Sequence, residues 1–209
     1  MTTSRPSLTT LLEIAVAMAV WLAGFVILRA TGSFLPLTVG AVSLAALFLA
    51  RDRTLRGSLR LSLPTAGVAL LLTAAMIGAT YGGFALVGHV WAALDPQTIA
   101  LYGLLRPDRY PPALMALLLA STAASEEVIF RGKLLAKLGS GPQGVVLSAC
   151  LYALAHLTGG SALLMALAFA CGVFWGAVRR LTGSLMAAIV VHVLWDLCIM
   201  LLHPLLKWS

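Results

Sequence analysis

Charged side chains are scarce in this sequence of 209 residues, of which 10% are Asp, Glu, Lys or Arg and only seven are acidic. A soluble domain carries about 25% charged residues. Here 61% of the residues are hydrophobic and the mean hydropathy is +1.01. Such a composition excludes water as the main solvent of the folded chain. It predicts a single transmembrane domain over residues 1–209.

Cysteine is also rare, and its placement argues against a disulfide framework or a thiolate metal site. The three cysteines are Cys150, Cys171 and Cys198, which lie in apolar runs and form no C-x-x-C pair. This distribution is typical of buried structural thiols.

The net charge of +7 does not indicate a nucleic-acid partner. Arg and Lys occupy short loops between apolar runs, which is the positive-inside pattern of proteins that span a lipid bilayer. The ends of the runs on the side of the N-terminus carry ten basic residues: Arg5, Arg51, Arg53, Arg56, Arg60, Arg131, Lys133, Lys137, Arg179 and Arg180. The opposite ends carry four: Arg29, Arg106, Arg109 and Lys207. This asymmetry predicts a cytoplasmic N-terminus, and the small size with an Ala- and Arg-rich composition favours a bacterial inner (plasma) membrane.

The apolar runs predict an all-α polytopic membrane helix bundle with about seven (six to eight) transmembrane helices, each needing about 20 residues. The runs cover residues 8–28, 34–50, 61–91, 112–138, 144–158, 162–178 and 185–202. A short surface helix is expected in the loop of residues 94–112. The fifth run has 15 residues, or about 22 Å at 1.5 Å per residue, less than a hydrocarbon core of roughly 30 Å. We therefore expect irregular backbone beside a water-filled cavity at its ends.

Ionisable residues inside the C-terminal spans are the main functional signal, because each costs about 2.5–3.5 kcal/mol to insert and such residues are functional candidates by default. They form the segments SEEVIFRGK (125–133), YALAH (152–156) and HVLWD (192–196). In each segment two polar residues stand four apart and share a helix face. Convergence of these three faces predicts one wet cavity within the bundle.

Glu126 is the most distinctive residue of this set. The next residue, Glu127, is predicted to pair with Arg131 four positions on, whereas Glu126 is rotated by about 100° and can face another target. A mid-membrane carboxylate beside the imidazoles of His156 and His192 is typical of a general base that takes a proton from water.

The order of these motifs resembles the CPBP family, the CAAX proteases and bacteriocin-processing enzymes that are also called the Abi family. The family pattern is E-E-x-x-x-R, then an aromatic-x-x-x-H, then H-x-x-x-N or D, and it is found here at residues 126–131, 152–156 and 192–196. The resemblance covers about residues 110–200, the expected catalytic core, and leaves residues 1–109 as N-terminal membrane helices. Two positions depart from the usual pattern. Tyr152 stands where Phe is usual and brings a hydroxyl that needs a partner, and Asp196 stands where Asn is frequent.

The resemblance implies an intramembrane endopeptidase that acts on a membrane-associated or lipid-modified peptide, or on another membrane protein. It assigns Glu126 as the base, completed by His156, His192 and Asp196. Asp196 would support either the oxyanion or His192. Supporting positions are Glu127, Arg131 and Tyr152.

Three alternatives remain open at this point. The first is a zinc site formed by His156, His192, Glu126 and Asp196, because two His and a carboxylate suit an open zinc site. No H-E-x-x-H is present, however. A metal-free mechanism with no cofactor is favoured. A non-catalytic, bacteriocin-immunity-type membrane protein could use the same fold. A proton-coupled transporter is less favoured, since no inverted repeats with broken helices are visible.

Overall fold

The computed structural model describes residues 7–105, 110–139 and 141–206, and within these ranges the regular elements are all helical, with no strand. In chain order they are α1 (Leu8–Thr31), α2 (Leu35–Arg51), α3 (Arg53–Gly57), α4 (Leu63–Gly88), α5 (Leu94–Leu105), α6 (Pro112–Leu138), α7 (Pro142–Ala155), a 3-10 turn (Leu157–Gly159), α8 (Ala162–Thr182) and α9 (Leu185–Leu202). The predicted all-α polytopic helix bundle is confirmed.

All seven predicted spans are helical, but they differ in length. Five helices of the described chain, α1, α4, α6, α8 and α9, are long and apolar enough to cross a membrane. Helix α2 is a shorter apolar helix of 17 residues, and α7 has only 14 residues. The third span ends at Gly88 rather than Trp91, because the chain turns there with the His89 N–H bonded to the Leu86 carbonyl.

Helix α6 lies at the centre of the bundle and packs against α2, α7 and α9. Of its most apolar stretch 61% is buried inside the protein, compared with 11% for α4, which mostly faces outwards. Residues Glu127–Leu134 of α6 form a π-helix between α-helical segments. Wide turns of this kind frequently occur at functional sites, and this one begins directly after Glu126.

Contacts at one end of the bundle bring together most of the segments that were predicted to share a side. Lys133 Nζ lies 3.2 Å from Asp52 and 3.3 Å from Glu13, and Ser184 donates to the Arg60 carbonyl at 2.7 Å.

The N–H of Leu55 and, less strongly, the Lys133 ammonium hold the pKa of Asp52 below its usual range.

The opposite end joins Ser33 to Tyr110 at 2.9 Å, so α5 begins and ends at that end and does not cross the bundle. Arg131 is an exception to the predicted basic side, because it is buried in the core. Arg5, Arg106, Arg109 and Lys207 lie outside the described residues, and the cytoplasmic position of the N-terminus stays a prediction.

The turn between α6 and α7 places two backbone segments in direct contact. Gly139 has φ +98°, and a Cβ on Gly144 would lie 1.6 Å from the Gly139 carbonyl oxygen. We expect Gly144→Ala to force this turn apart and to lower the unfolding temperature in detergent. Gly103→Ala is the matched control, because nothing lies within 4 Å of its Cβ and alanine favours a helix by about 0.5–1 kcal/mol. A Gly144→Ala protein as stable as this control would contradict the prediction.

Candidate active site

An apolar cavity of about 670 Å³ lies inside the bundle. Residues of α4, α5, α8 and α9 form much of its wall, and most of them are hydrophobic. Five predicted site residues also line it: Glu126, Tyr152, His156, His192 and Asp196. The structure therefore brings together residues from α6, from α7 and its C-terminal end, and from α9, as the three polar helix faces predicted.

Glu126 is 5% exposed, and both of its carboxylate oxygens accept a hydrogen bond. Oε1 accepts from the indole Nε1 of Trp21 at 3.0 Å, and Oε2 accepts from the hydroxyl of Tyr152 at 2.5 Å. Hydrogen bonds to an ionised acceptor are shorter and stronger than those between neutral groups. The extra hydroxyl of Tyr152 thus has its partner, and Glu126 is held in place rather than left free.

The two histidines turn the same ring nitrogen towards Glu126. His156 Nδ1 is 2.7 Å from the Tyr152 carbonyl oxygen. His192 Nδ1 is 2.9 Å from Glu127 Oε1. Because a carbonyl or a carboxylate can only accept, both Nδ1 atoms carry the proton, and a neutral ring then offers the lone pair of Nε2.

The Nε2 atoms lie near the carboxylate without bonding to it. His156 Nε2 is 3.7 Å from Glu126 Oε1 and His192 Nε2 is 3.6 Å from Oε2, beyond the usual hydrogen-bond length of about 2.7–3.2 Å. A carboxylate and two imidazole nitrogens thus border one small region of the cavity. This arrangement can hold a polar molecule between an acceptor carboxylate and two rings of fixed orientation.

Glu127 and Arg131 form the predicted ion pair, with 3.1 Å between Oε1 and Nη1 and both side chains 0% exposed. Glu127 has a second role that its spacing did not indicate, because the same Oε1 accepts from His192 and orients that ring. The Arg131 guanidinium carbon lies 4.3 Å from the centre of the Tyr152 ring. A Cβ on Gly172 would come within 3.0 Å of Arg131 Nη2, so a glycine leaves room for the guanidinium.

Asp196 lines the cavity, and its Oδ2 lies 3.6 Å from His192 Nε2. Orienting His192 was one of the two roles predicted for Asp196, but the carboxylate that accepts the hydrogen bond from His192 Nδ1 is that of Glu127. Trp175 stacks on the His192 ring, with centroids 3.4 Å apart and planes at 19°. Asp196 and Glu126 therefore both lie near the same atom of the His192 ring, Nε2.

Zinc was the metal considered from the sequence, with His156, His192, Glu126 and Asp196 as its ligands. Among the described ranges, no group of three or more His, Cys, Asp or Glu side chains is arranged to hold a metal ion. Both Glu126 oxygens are also engaged by Trp21 and Tyr152. The metal-free mechanism stays a prediction.

Sequence reasoning missed Trp21 and Trp175. Trp21 lies in an apolar run, 105 positions before Glu126, where a tryptophan has the appearance of any membrane-buried aromatic residue. Trp175 lies on α8, a helix on which no polar motif was recognised. Trp21 has no sequence signal that ties it to the motifs, because only the packing of separate helices brings it to the site.

Comparison with protein-family models matches residues 108–198 to the family described as Type II CAAX prenyl endopeptidase Rce1-like. This range contains all three motifs, and it confirms the resemblance found from them. Residues 108–198 are therefore similar to the CAAX protease class, which is consistent with a CPBP family intramembrane protease. Comparison with curated proteins and with solved structures gave no match.

Proposed function

We propose that this protein is an intramembrane endopeptidase of the glutamate type, in which Glu126 activates a water molecule. Its substrate is a peptide bond in a membrane-associated or lipid-modified peptide, or in another membrane protein. One observation carries the proposal: buried Glu126 lines an apolar cavity, with the Nε2 atoms of His156 and His192 3.7 and 3.6 Å from its oxygens.

The proposed reaction begins when water enters the region between Glu126 and the two imidazoles. Glu126 accepts a proton from this water as the oxygen attacks the carbonyl carbon of the peptide bond, which gives a tetrahedral oxyanion. The proton then passes to the nitrogen of the leaving amine, the C–N bond breaks, and Glu126 returns to its carboxylate form. General-base catalysis of this kind contributes about 10²- to 10⁴-fold to a rate.

His156 and His192 would supply orientation in this scheme. The Nε2 lone pair of one ring accepts the second hydrogen of the attacking water, and protonation of the other ring would turn it into a donor for the oxyanion. Asp196 is proposed to support His192 or the bound substrate from the same side of the cavity. The apolar wall excludes bulk water, which strengthens each electrostatic contact within the site.

The direct test works on whole membranes, so the substrate does not have to be identified first. Membranes from cells that produce the wild type or Glu126→Gln at equal levels would be compared by mass-spectrometric mapping of new protein N-termini. We expect a small set of new termini, in or beside membrane-embedded segments, that arise only with the wild type. Identical sets from the two proteins would contradict proteolysis at Glu126.

A metal-removal experiment separates the glutamate mechanism from a zinc mechanism. We expect the full-length protein, purified in detergent, to contain much less than one zinc per chain and to keep cleaving a peptide from the mapped site in the presence of 1,10-phenanthroline. His156→Ala is the control for the metal analysis. Stoichiometric zinc in the wild type that is lost in His156→Ala would refute the metal-free proposal.

A further inference from the structure

Helix α1 lies outside residues 108–198 that match the protease domain, yet it reaches the candidate base. Trp21 is 0% exposed, and its Nε1–H donates to Glu126 Oε1 at 3.0 Å. An indole has this single donor and no acceptor. The entire hydrogen-bonding capacity of Trp21 is therefore directed at the carboxylate of Glu126.

The same helix also contacts the segment that carries His156. The Phe25 ring lies 5.0 Å from the His156 ring, and Thr158 donates its hydroxyl to the Leu22 carbonyl at 2.8 Å. Two successive turns of α1 therefore contact the candidate site, one at Glu126 and the other at His156. A shift of α1 would move the donor to Glu126 and the wall beside His156 together.

The surroundings of Trp21 allow it to act as a fixed donor. Its ring packs edge-on against Phe130 of α6, with centroids 5.4 Å apart and planes at 87°. Trp21 and Tyr152 each donate to a different oxygen of Glu126, so the plane of the carboxylate is fixed from two sides. Glu126 is therefore held in one orientation, as a general base must be.

We propose that Trp21 is a positioning residue for Glu126, so that α1 forms part of the active site together with the matched domain. The role rests on the proposed function, because it assumes that Glu126 is the base. It makes α1 necessary for the rate of the chemical step and not only for the stability of the bundle.

The first test observes the contact without any substrate. Full-length protein labelled with ¹⁵N at the tryptophan indoles would be studied by NMR in detergent micelles, with the Trp21 resonance identified by its loss in Trp21→Phe. In Glu126→Gln the charged acceptor becomes neutral, and we expect the Trp21 indole proton to move upfield. Glu13→Gln, at the end of the bundle, is the matched control and should leave the resonance in place. An unmoved Trp21 resonance in Glu126→Gln would overturn the proposal.

The second test measures kinetics on a synthetic peptide that spans the mapped cleavage site. Trp21→Phe keeps an aromatic ring and removes the donor, so we expect kcat to fall about 10- to 100-fold with KM unchanged. Phe48→Leu removes a similar part of a buried ring in α2, away from the cavity, and should keep the wild-type kcat. A purely structural role for Trp21 would give equal effects in these two variants and would overturn the proposal.

Failure of the role proposed for Trp21 can be distinguished from failure of the proposed function. If the wild type cleaves and Trp21→Phe cleaves as fast, the proposed function stands and the role of Trp21 is refuted. If the wild type cleaves nothing, the proposed function is refuted, and with it the catalytic role assigned to Trp21.

Discussion

Replacement of Glu126 by Gln is expected to lower the rate of peptide cleavage by about 10²- to 10⁴-fold, the contribution of a general base, while the protein remains folded. Gln has nearly the same shape as Glu, and its amide oxygen can still accept the hydrogen bond from Trp21, but it cannot take a proton from water. The measurement is the initial rate of cleavage by purified full-length protein. Thermal unfolding in the same detergent reports the fold.

Glu13→Gln is the matched control for this substitution. Glu13 pairs with Lys133 at 3.3 Å at one end of the bundle and does not line the cavity, so we expect its removal to leave the rate unchanged. The alternative function predicts a different outcome. A non-catalytic immunity-type protein would keep protecting its host with Gln at position 126, and this result would contradict the protease.

Breaking the buried pair of Glu127 and Arg131 is expected to have the largest effect on stability. Both side chains are 0% exposed and lie 3.1 Å apart, so removal of one partner leaves an uncompensated charge in the core. Such losses cost about 3–5 kcal/mol. We expect both Glu127→Gln and Arg131→Met to lower the free energy of unfolding by this amount, measured by reversible denaturation in mixed micelles.

The double variant separates stability from activity. Glu127→Gln combined with Arg131→Met buries no charge at this position, so it should recover part of the lost stability. It should still cleave slowly, because the neutral amide orients His192 more weakly than the carboxylate that accepts from it at 2.9 Å. Lys133→Met, which removes two partly exposed ion pairs, is the control and should cost no more than about 1 kcal/mol for each pair. Single variants as stable as this control would contradict a buried, structurally essential pair.

The three motifs predicted the core of the candidate site because each depends on local helix geometry. Residues four apart on a helix share a face, and this rule correctly paired Glu127 with Arg131. The same rule could not show that the helix widens into a π-helix at Glu127. Nor could it show that His192, 65 positions away, would share the Glu127 oxygen with Arg131.

Features that depend on packing between distant helices were beyond the reach of the sequence. The hydrophobic runs located the helices well, because burial in lipid requires apolar residues at every turn. Five of the described helices are long and apolar enough to cross a membrane, and the fifth run, predicted to be short, forms the 14-residue helix α7. Arg131 was counted among the basic residues on one side of the membrane, because composition does not distinguish an arginine buried in the core from an arginine in a loop.

The length of α7 sets the depth at which hydrolysis would take place. Its 14 residues extend about 21 Å at 1.5 Å per residue, roughly 9 Å less than the hydrocarbon core. A helix of this length that starts at a membrane surface ends within the hydrocarbon core, so His156, which directly follows α7 and lies 3.7 Å from Glu126, would then be at the level of the acyl chains. One added helical turn would carry the imidazole about 5 Å further along the axis, out of reach of the carboxylate. Under the proposed function, the length of α7 would therefore determine which part of a membrane-embedded peptide is presented for cleavage.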